Sequence, residues 1–241
     1  QSLNLQNPRH FRAKTVRDNL DIKVEPRIAN GKTQILNFLK VHKGLCGIIY
    51  TFTRKEAEST AEFLSESGYS AKAYHAGLSN DRKNEVFSDF VYEKIDIVVA
   101  TIAFGMGIDK SNIRFVIHTS LPKTLENYYQ EIGRAGRDGE MSYVYMLYSK
   151  SDEVKRKIQI EEAIDDGYKQ TGLDKLEFMY RYCVSNNCRH KMIAGYFEDE
   201  IEACKTLCDN CTKGEVEQVD VSVDAQKLLS AIYRSEQRFG L

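Results

Sequence analysis

Short apolar segments alternate with amphipathic segments between residue 19 and about residue 148. The apolar segments are NLDIKV, GIIYTF, SAKAYH, IDIVVAT, IRFVIHTS and YVYMLYS. The segments between them place apolar residues near the spacing of a helix face: KTQILNFLKVHK, RKEAESTAEFLSES, NDRKNEVFSDFVYEK and TLENYYQEIGRAG. This alternation predicts an α/β fold in which helices cover both faces of a parallel sheet. Functional groups then collect at the carboxyl ends of the strands.

The pattern changes after this region. Helical segments follow one another without a strand pattern, and they read SDEVKRKIQIEEAI, LDKLEFMYRYCV and CRHKMIAGYF. A cysteine group comes next, and a polar linker leads to the segment AQKLLSAIYR, for which Asp224 is the expected N-cap. We therefore divide the chain into an α/β domain over 1–148, a small helical domain over 149–214, and a linker with one further helix over 215–241.

Composition limits the partners that this chain can have. Its 241 residues are 42% hydrophobic and 29% charged, as is usual for a globular protein. The formal net charge of −1 confines any nucleic-acid surface to a local patch. Because the sequence contains neither a membrane-length apolar run nor a secretory segment, we expect an intracellular protein without membrane contact. The chain begins with Gln1 and ends inside an amphipathic segment, so we expect it to be part of a longer protein.

The tetrapeptide NGKT, at 30–33, matches the last residues of the phosphate-binding loop motif. The full pattern requires a glycine five residues before Gly31, and Pro26 stands there. We interpret the segment as a turn before a helix. The chain is therefore not expected to bind ATP by itself.

Two arginines framed by glycine, in the segment QEIGRAGRDG, are candidate phosphate ligands. A planar guanidinium binds phosphate oxygens in a bidentate manner, and glycine allows the backbone to come close. On the predicted helix, Gln130, Arg134 and Arg137 lie at i, i+4 and i+7 and project from one face. An arginine there could stabilise the charge on a phosphoryl group in transfer. The alternative is a solvated helix in which these arginines pair with Glu131 and Asp138.

Other segments of the sequence favour the first alternative, in which the arginines bind phosphate. ATIAFGMGIDK follows an apolar strand, and GIIYTFTRKEAESTAEFL and AKAYHAGLSNDRK precede it. Together with YYQEIGRAGRDG they resemble, in order, the motifs of superfamily 2 helicases. Four segments resemble those of the RecQ family of DNA helicases: AFGMGIDK, RFVIH, SLPK and YYQEIGRAGRDG. The resemblance extends from about residue 9 to the end.

This resemblance implies the second RecA-like lobe of an ATP-dependent 3′-to-5′ DNA helicase that acts in DNA repair and recombination. The first lobe, in cis, would hold the phosphate loop and most contacts with ATP and Mg²⁺. Gln130, Arg134 and Arg137 would be catalytic residues facing the cleft between the lobes, with Arg137 as first choice for an arginine finger. Gly107 and Asp109 would bind ATP, with Asp109 near the ribose. The protein would be nuclear in a eukaryote and cytoplasmic, at the nucleoid, in a bacterium.

Four further residues match positions near the single-stranded DNA track of the family. They are Thr51, Thr53, His75 and Thr101. The family usually has serine where Thr53 stands, and threonine keeps the hydroxyl. The implied partner is single-stranded or partly duplex DNA.

Four cysteines form a C-x15-C-x3-C-x2-C array: Cys188, Cys204, Cys208 and Cys211. Four thiolates at this kind of spacing suit tetrahedral Zn²⁺, and a set without an open position suits a structural role. A redox-active thiol cluster is the alternative. The array resembles the RecQ zinc module, whose first ligand begins a helix, and it leaves out Cys183, which a helix would bury.

The last segment resembles the start of the winged-helix domain that follows the zinc module in many RecQ proteins. Only its first helix would be present here. The competing hypothesis for the function of the chain is a non-catalytic, zinc-containing module that binds DNA or protein. Tyr180 and Tyr182 could stack on bases, but their helical spacing favours a place in the core or at an interface.

Overall fold

Six strands form one parallel sheet in the computed structural model, which describes residues 15–101, 104, 110–162, 166–213 and 220–235. In chain order they are β1 Leu20–Pro26, β2 Gly47–Tyr50, β3 Ala71–Tyr74, β4 Ile97–Ala100, β5 Phe115–His118 and β6 Ser142–Tyr148. Across the sheet the order is β1-β6-β5-β2-β4-β3, and every neighbouring pair is parallel. All six predicted strands are confirmed.

The helices follow the predicted sequence of elements, except that the four-residue helix at Asp209–Thr212 was not predicted. They are α1 Lys32–Val41, α2 Arg54–Glu66, α3 Asn80–Val91, α4 Leu125–Ile132, α5 Lys150–Glu161, α6 Asp166–Val184, α7 Arg189–Tyr196, α8 Asp209–Thr212 and α9 Ser222–Arg234. Within the ranges given above, none of them is long and apolar enough to cross a membrane.

Helices cover both faces of the sheet, as predicted. Neighbouring residues of β2 show the division, because Ile48 and Ile49 point to opposite faces and belong to different buried clusters. The cluster of Ile49 includes Ile35 of α1 and Leu64 of α2. The cluster of Ile48 includes Phe90 of α3 and extends through α4 into α6 and α7. The helical region after β6 therefore shares a core with one face of the sheet.

Tyr182 of α6 shows how closely this helical region is joined to the sheet domain. Its side chain is fully buried, and its ring centroid lies 5.6 Å from that of Tyr128 in α4. Tyr180, half-buried, makes an edge contact with Tyr148 at the end of β6. The interpretation of both tyrosines as core or interface residues is confirmed, and Tyr182 has no face on which a base could stack.

The outer side of β1 is covered by residues from the far end of the chain. The N–H of Ile22 donates to the carbonyl of Leu207 at 3.1 Å, and the N–H of Val24 donates to the carboxylate of Asp209 at 3.4 Å. Pro26 ends the strand and has no N–H to leave unpaired. An edge strand with free N–H groups can pair with another chain, and these contacts remove that risk.

The NGKT segment is a turn before α1, as predicted. Gly31 is the N-cap residue and has a positive φ of 76°. The ammonium of Lys32 donates to the carbonyl of Ser59 at 2.7 Å and lies 5.2 Å from the centroid of the Phe63 ring. The lysine is therefore directed at α2, and no phosphate-binding loop is formed here.

The expected N-cap of α9 is wrong. The helix begins at Ser222, three residues before the expected start at Ala225, so Val221 is its N-cap residue and Asp224 lies in its first turn. The carboxylate that accepts a backbone N–H at this end belongs to Asp220, which accepts from Ser222 at 2.9 Å. Two aspartates near one helix start satisfy the same preference for negative charge, so the sequence pattern does not distinguish between them.

A buried ion pair joins the end of β1 to the start of α5. Arg27 donates to both carboxylate oxygens of Asp152, at 2.6 and 2.8 Å. The same carboxylate accepts the N–H of Ser149 at 3.0 Å and of Leu121 at 3.3 Å. The Asp152 side chain is 3% exposed. One carboxylate thus fixes the junction between the sheet and the helical region.

We predict that Asp152→Ala destabilises the protein by about 3–5 kcal/mol, because it leaves the largely buried Arg27 charge without its carboxylate partner. Urea-induced unfolding of the purified chain measures this change. Arg82→Ala is the matched control, since it breaks an exposed pair with Glu85 and should change stability little. Equal effects of the two substitutions would contradict the assigned role of Asp152.

Candidate functional site

The two glycine-framed arginines lie on a loop and not on a helix. We call residues 133–139 the arginine loop. Helix α4 ends at Ile132, and Gly133 is its C-cap residue. The prediction that Gln130, Arg134 and Arg137 share one helix face is therefore wrong. Gln130 belongs to the last turn of α4, and the arginines follow on consecutive turns.

The second glycine of the loop explains why no helix continues to Arg137. Gly136 has a positive φ of 58°, which side-chain-bearing residues rarely adopt. A Cβ placed there would lie 2.5 Å from Asn19 Nδ2, 2.6 Å from Ser142 Oγ and 2.8 Å from the carbonyl oxygen of Glu140. Both conformation and space require glycine at this position, and the chain turns away from the helix axis.

The two arginines differ in their surroundings. Arg137 is exposed, whereas Arg134 is half-buried and within hydrogen-bonding reach of the Tyr50 hydroxyl at the end of β2. Burial raises the pKa of that hydroxyl, and the charge of Arg134 opposes the effect. Tyr50 in turn donates to the carbonyl of Phe104 at 3.0 Å. The loop thus presents one arginine to solvent and directs the other at the ends of the strands.

The acidic neighbours of the arginines have partners of their own. Glu131 is buried, and its carboxylate lies 2.6 Å from Nε2 of His118 at the end of β5. Asp138 accepts a hydrogen bond from Arg114, which also donates to Ser142 Oγ. These contacts fasten the end of α4, through Glu131, and the arginine loop, through Asp138, to the region of β5. Because residues 133–138 form turns, the solvated helix of the alternative interpretation is not formed either.

Three of the residues that were expected near DNA lie side by side at the carboxyl ends of adjacent strands. Thr51 follows β2, His75 follows β3 and Thr101 follows β4, which lies between them. The N–H of Thr51 donates to the carbonyl of Ala100 at 2.8 Å, and that of Thr101 to the carbonyl of Tyr74 at 3.3 Å. The parallel register therefore places these three residues in a row.

Their side chains are not equally accessible. The hydroxyl of Thr51 is buried and donates to the carbonyl of Thr53 at 3.2 Å. His75 is 3% exposed, and its Nε2 lies 3.0 Å from the carboxylate of Glu58. Thr53 is exposed and caps α2, while Thr101 is half-buried. Thr53 and Thr101 can meet a ligand directly, and Thr51 and His75 can act through their neighbours. Gly107 and Asp109 lie outside the described residues.

Three residues at this site had no signal in the sequence analysis. Arg17, before β1, donates to carbonyl groups of the arginine loop. His118 holds Glu131, as described above. Arg156 of α5 lies 4.4 Å from the ring centroid of Phe52 and donates to the carbonyl of Leu121 at 3.1 Å. Burial lowers the pKa of Arg156, and nearby carboxylates oppose the effect. Only the position of His118 at a strand end could have indicated a role.

The four predicted cysteines converge in the structure. The Sγ atoms of Cys188, Cys204, Cys208 and Cys211, here called the cysteine cluster, all lie within 4.8 Å of one another. Zn–S bonds of about 2.3 Å in a tetrahedron place sulfur atoms about 3.8 Å apart, so the cluster can close on such an ion. Cys188 stands at the start of α7 and Cys208 at the start of α8, as the resemblance implied for the first ligand.

Cys183 is separate from the cluster, as expected. It is buried on α6, and its thiol donates to the carbonyl of Met179 at 3.3 Å. Burial raises the pKa of this thiol. A thiol that resists deprotonation is a poor metal ligand and a poor nucleophile. Cys183 is a core residue.

Residues next to the cysteines hold two segments together, the one that leads into α7 and the one that contains α8. Arg189 donates to the Asp209 carboxylate at 2.9 and 3.2 Å, and this pair is buried. Asn210 donates to the carbonyls of Ser185 and Asn187 at 2.8 and 2.7 Å. Contacts behind the ligands fix ligand geometry before a metal binds. The donor set and its support fit a structural tetrathiolate site.

Three family models match consecutive parts of the chain. They describe a helicase conserved C-terminal domain over residues 31–139, a RecQ zinc-binding domain over 150–212 and an RQC domain over 215–241.

Curated relatives cover almost the whole chain. The RecQ-like DNA helicase blm-1 of Caenorhabditis elegans is 39% identical over 248 residues, which include 98% of this chain and 25% of that protein. The ATP-dependent DNA helicase RecQ of Bacillus subtilis is 41% identical over 225 residues, 93% of this chain and 38% of that protein. The enzyme of the same name from Pasteurella multocida is 39% identical over 99% of this chain and 38% of its own length. The chain thus spans a quarter to about two fifths of these relatives.

We predict that Cys188→Ser removes one bound metal ion per chain and destabilises the helical region, whereas Cys183→Ser keeps the metal. In small modules a structural Zn²⁺ contributes on the order of 10 kcal/mol to folding. Elemental analysis of both purified variants, with thermal unfolding in parallel, measures the two effects. Metal-free wild-type protein, or equal metal loss in Cys183→Ser, would show that the ligand assignment is wrong.

Proposed function

This chain belongs to the RecQ family of superfamily 2 helicases, and we propose that it forms the C-terminal half of the motor core of an ATP-dependent DNA helicase. Residues 1–148 would be the second RecA-like lobe, 149–214 a zinc-binding domain and 215–241 the start of a winged helix. The whole protein would move 3′ to 5′ on single-stranded or partly duplex DNA and act in repair and recombination. A first lobe in cis would hold ATP and Mg²⁺.

The observation that carries this proposal is the arginine loop at the end of the sheet. Its backbone is fastened on both sides, and Arg137 is exposed on it. A fixed backbone with an exposed guanidinium suits a ligand held by another domain, because the charge is already in place when the two domains close. Arg137 is therefore the proposed arginine finger for the γ-phosphate.

Arg134 and Gln130 would have supporting roles in the same reaction. Arg134 lies against Tyr50, so its guanidinium is held nearer the sheet than that of Arg137. From there it would contribute positive charge to the phosphates from behind the finger. Gln130, in the last turn of α4, would orient groups at the entrance of the cleft. Gly107 and Asp109 are proposed for ATP, with Asp109 near the ribose.

The row of strand ends is the proposed DNA track. Thr53 and Thr101 offer hydroxyl and backbone groups to phosphates, which position a strand without reading its sequence. Thr53 also caps α2, so the amino end of that helix faces the same side. Thr51 and His75 would support the track from below. The cysteine cluster would hold Zn²⁺, which supplies four strong bonds at the base of the helical region and takes no part in the reaction.

We predict that the 241-residue chain alone shows no DNA-stimulated ATPase activity, because its sequence contains no phosphate-binding loop. Binding to single-stranded DNA should be weak and should fall further as salt rises. A steady-state ATPase assay and a DNA titration at two salt concentrations test this. Stoichiometric turnover by the isolated chain would contradict a site divided between two lobes, and firm binding without any role in hydrolysis would favour a non-catalytic interaction module.

We predict that Arg137→Ala in the full-length protein lowers ATP hydrolysis about 10³–10⁵-fold, the usual value of an arginine finger. ATP and DNA binding should be largely retained, because other groups hold both ligands. Arg137→Lys should restore little, since an ammonium cannot reproduce the bidentate fork. Steady-state ATPase assays and DNA titrations on the same variants provide the measurement.

Lys72→Gln is the control for this prediction. Lys72 lies on β3, at the opposite edge of the sheet from β1, and pairs with Glu85 and Asp89, so its loss removes one charge far from the arginine loop. It should leave hydrolysis unchanged. If Arg137→Ala hydrolysed ATP normally but lost DNA affinity, Arg137 would be a DNA contact and Arg134 would become the candidate finger.

A further inference from the structure

The guanidinium of Arg17 is bonded to the backbone of the arginine loop. Its Nη1 donates to the carbonyl of Ala135 at 2.8 Å and to that of Gly133 at 3.3 Å. Its Nη2 donates to the carbonyl of Gly136. These three residues surround Arg134 and directly precede Arg137. A single side chain thus holds the stretch of backbone from which both arginines project.

The three acceptors lie in the turns that follow α4, where Gly133 is the C-cap residue and Ala135 and Gly136 come after it. Each backbone carbonyl oxygen can accept more than one hydrogen bond. Arg17 brings a positive charge and several N–H donors in a rigid plane, so it can bond to all three oxygens at once. All three acceptors are main-chain oxygens, and these bonds therefore leave the side chains of Arg134 and Arg137 in place for a ligand.

Asn19 strengthens the same arrangement from the next position on that side. Its Nδ2 donates to the carbonyls of Gly136 and Glu140, both at 2.8 Å. Its own carbonyl accepts the N–H of Ser142 at 2.8 Å, at the start of β6. Asn19 therefore bonds to both ends of the turn that contains Arg137, and it ties that turn to the sheet.

The segment that carries Arg17 is itself fixed. The hydroxyl of Tyr129 donates to the carbonyl of Thr15 at 2.7 Å, and β1 begins at Leu20. Burial lowers the pKa of Arg17, and the nearby charge of Arg137 adds to that effect, which indicates that the two guanidinium groups are near each other. Like charges that approach in this way need a rigid support, because otherwise they move apart.

We propose that Arg17, assisted by Asn19, is a positioning residue that fixes the arginine loop so that Arg137 meets the γ-phosphate. This inference rests on the function proposed above. Arg17 touches neither the phosphate nor the reacting atoms, and it acts through Arg137. A displacement of about 1 Å in a catalytic group can cost about 10² in rate. Loss of the Arg17 contacts should therefore slow hydrolysis by about 10- to 100-fold, less than loss of Arg137 itself.

The test is a double-mutant cycle on ATP hydrolysis by the full-length protein. Arg17→Gln, Arg137→Ala and the double variant are compared with the wild type at saturating DNA. We expect Arg17→Gln to lower kcat with little change in the KM for ATP or in DNA affinity. In the Arg137→Ala background, Arg17→Gln should cause no further loss, because residues that act through one another are not additive.

Two further variants separate charge from geometry. Arg17→Lys keeps the positive charge but lacks the planar fork, and it should recover only a small part of the rate. Asn19→Ala removes two hydrogen bonds without a change in charge, and it should lower kcat in the same direction. Asn19→Ala also carries the test if Arg17→Gln proves insoluble. Lys72→Gln is again the control for loss of a distant charge.

The outcomes distinguish this inference from the function on which it rests. If Arg17→Gln lowers only the unfolding temperature, or if its effect on kcat is equally large with and without Arg137, Arg17 has a structural role alone and the positioning role is overturned. If Arg137→Ala hydrolyses ATP normally, the finger assignment fails, whatever Arg17→Gln does. A normal rate in Arg17→Gln beside a large loss in Arg137→Ala overturns the inference alone.

Discussion

The buried ion pair between Arg189 and Asp209 holds the helical region, the cysteine cluster and the edge of the sheet together. Asp209 follows a cluster cysteine, accepts from Arg189 next to another, and also accepts the N–H of Val24 in β1. One carboxylate therefore contacts both α7 and the edge strand β1, directly next to the cysteine cluster. Loss of Asp209 would leave the Arg189 charge buried without its carboxylate, and loss of Arg189 would leave Asp209 with Lys213, 3.7 Å away, as its cation. Removal of one partner of a buried ion pair costs about 3–5 kcal/mol.

β1 is the element that these constraints share. Before it, Arg17 and Asn19 hold the arginine loop. Within it, Ile22 and Val24 bond to the segment of the cysteine cluster. After it, Arg27 reaches the first turn of α5. An edge strand needs cover for its outer side, and here the cover comes from the segment of the cysteine cluster. The arginine loop and the cysteine cluster are therefore both bonded to residues in or next to one strand, although they are far apart in sequence.

Sequence reasoning succeeded where one local pattern has one structural solution. The strand at Ile48 and Ile49 was predictable because a short apolar run between helices has to be buried on both faces. The cysteine cluster was predictable because thiolates at such spacing suit a single ion, and Cys183 was excluded by its place on a helix. The prediction of one helix through Arg134 and Arg137 was wrong. The helix ends at Ile132, and the positive φ of Gly136, where the surroundings leave no room for a Cβ, rules out a helix that continues to Arg137.

The sequence by itself determined the α/β alternation and the arginine motif, and it indicated which four cysteines converge, since each depends on residues that are close in the chain or on thiol chemistry. Tertiary structure alone decided which side chains are accessible. It buried His75 against Glu58 and Thr51 beneath the strand ends, and it left Arg137 exposed while Arg134 turned towards Tyr50. It also brought Arg17 to carbonyls more than a hundred residues away. No local pattern encodes such contacts, because hydrogen bonds to backbone oxygens depend on position in space and not on residue type.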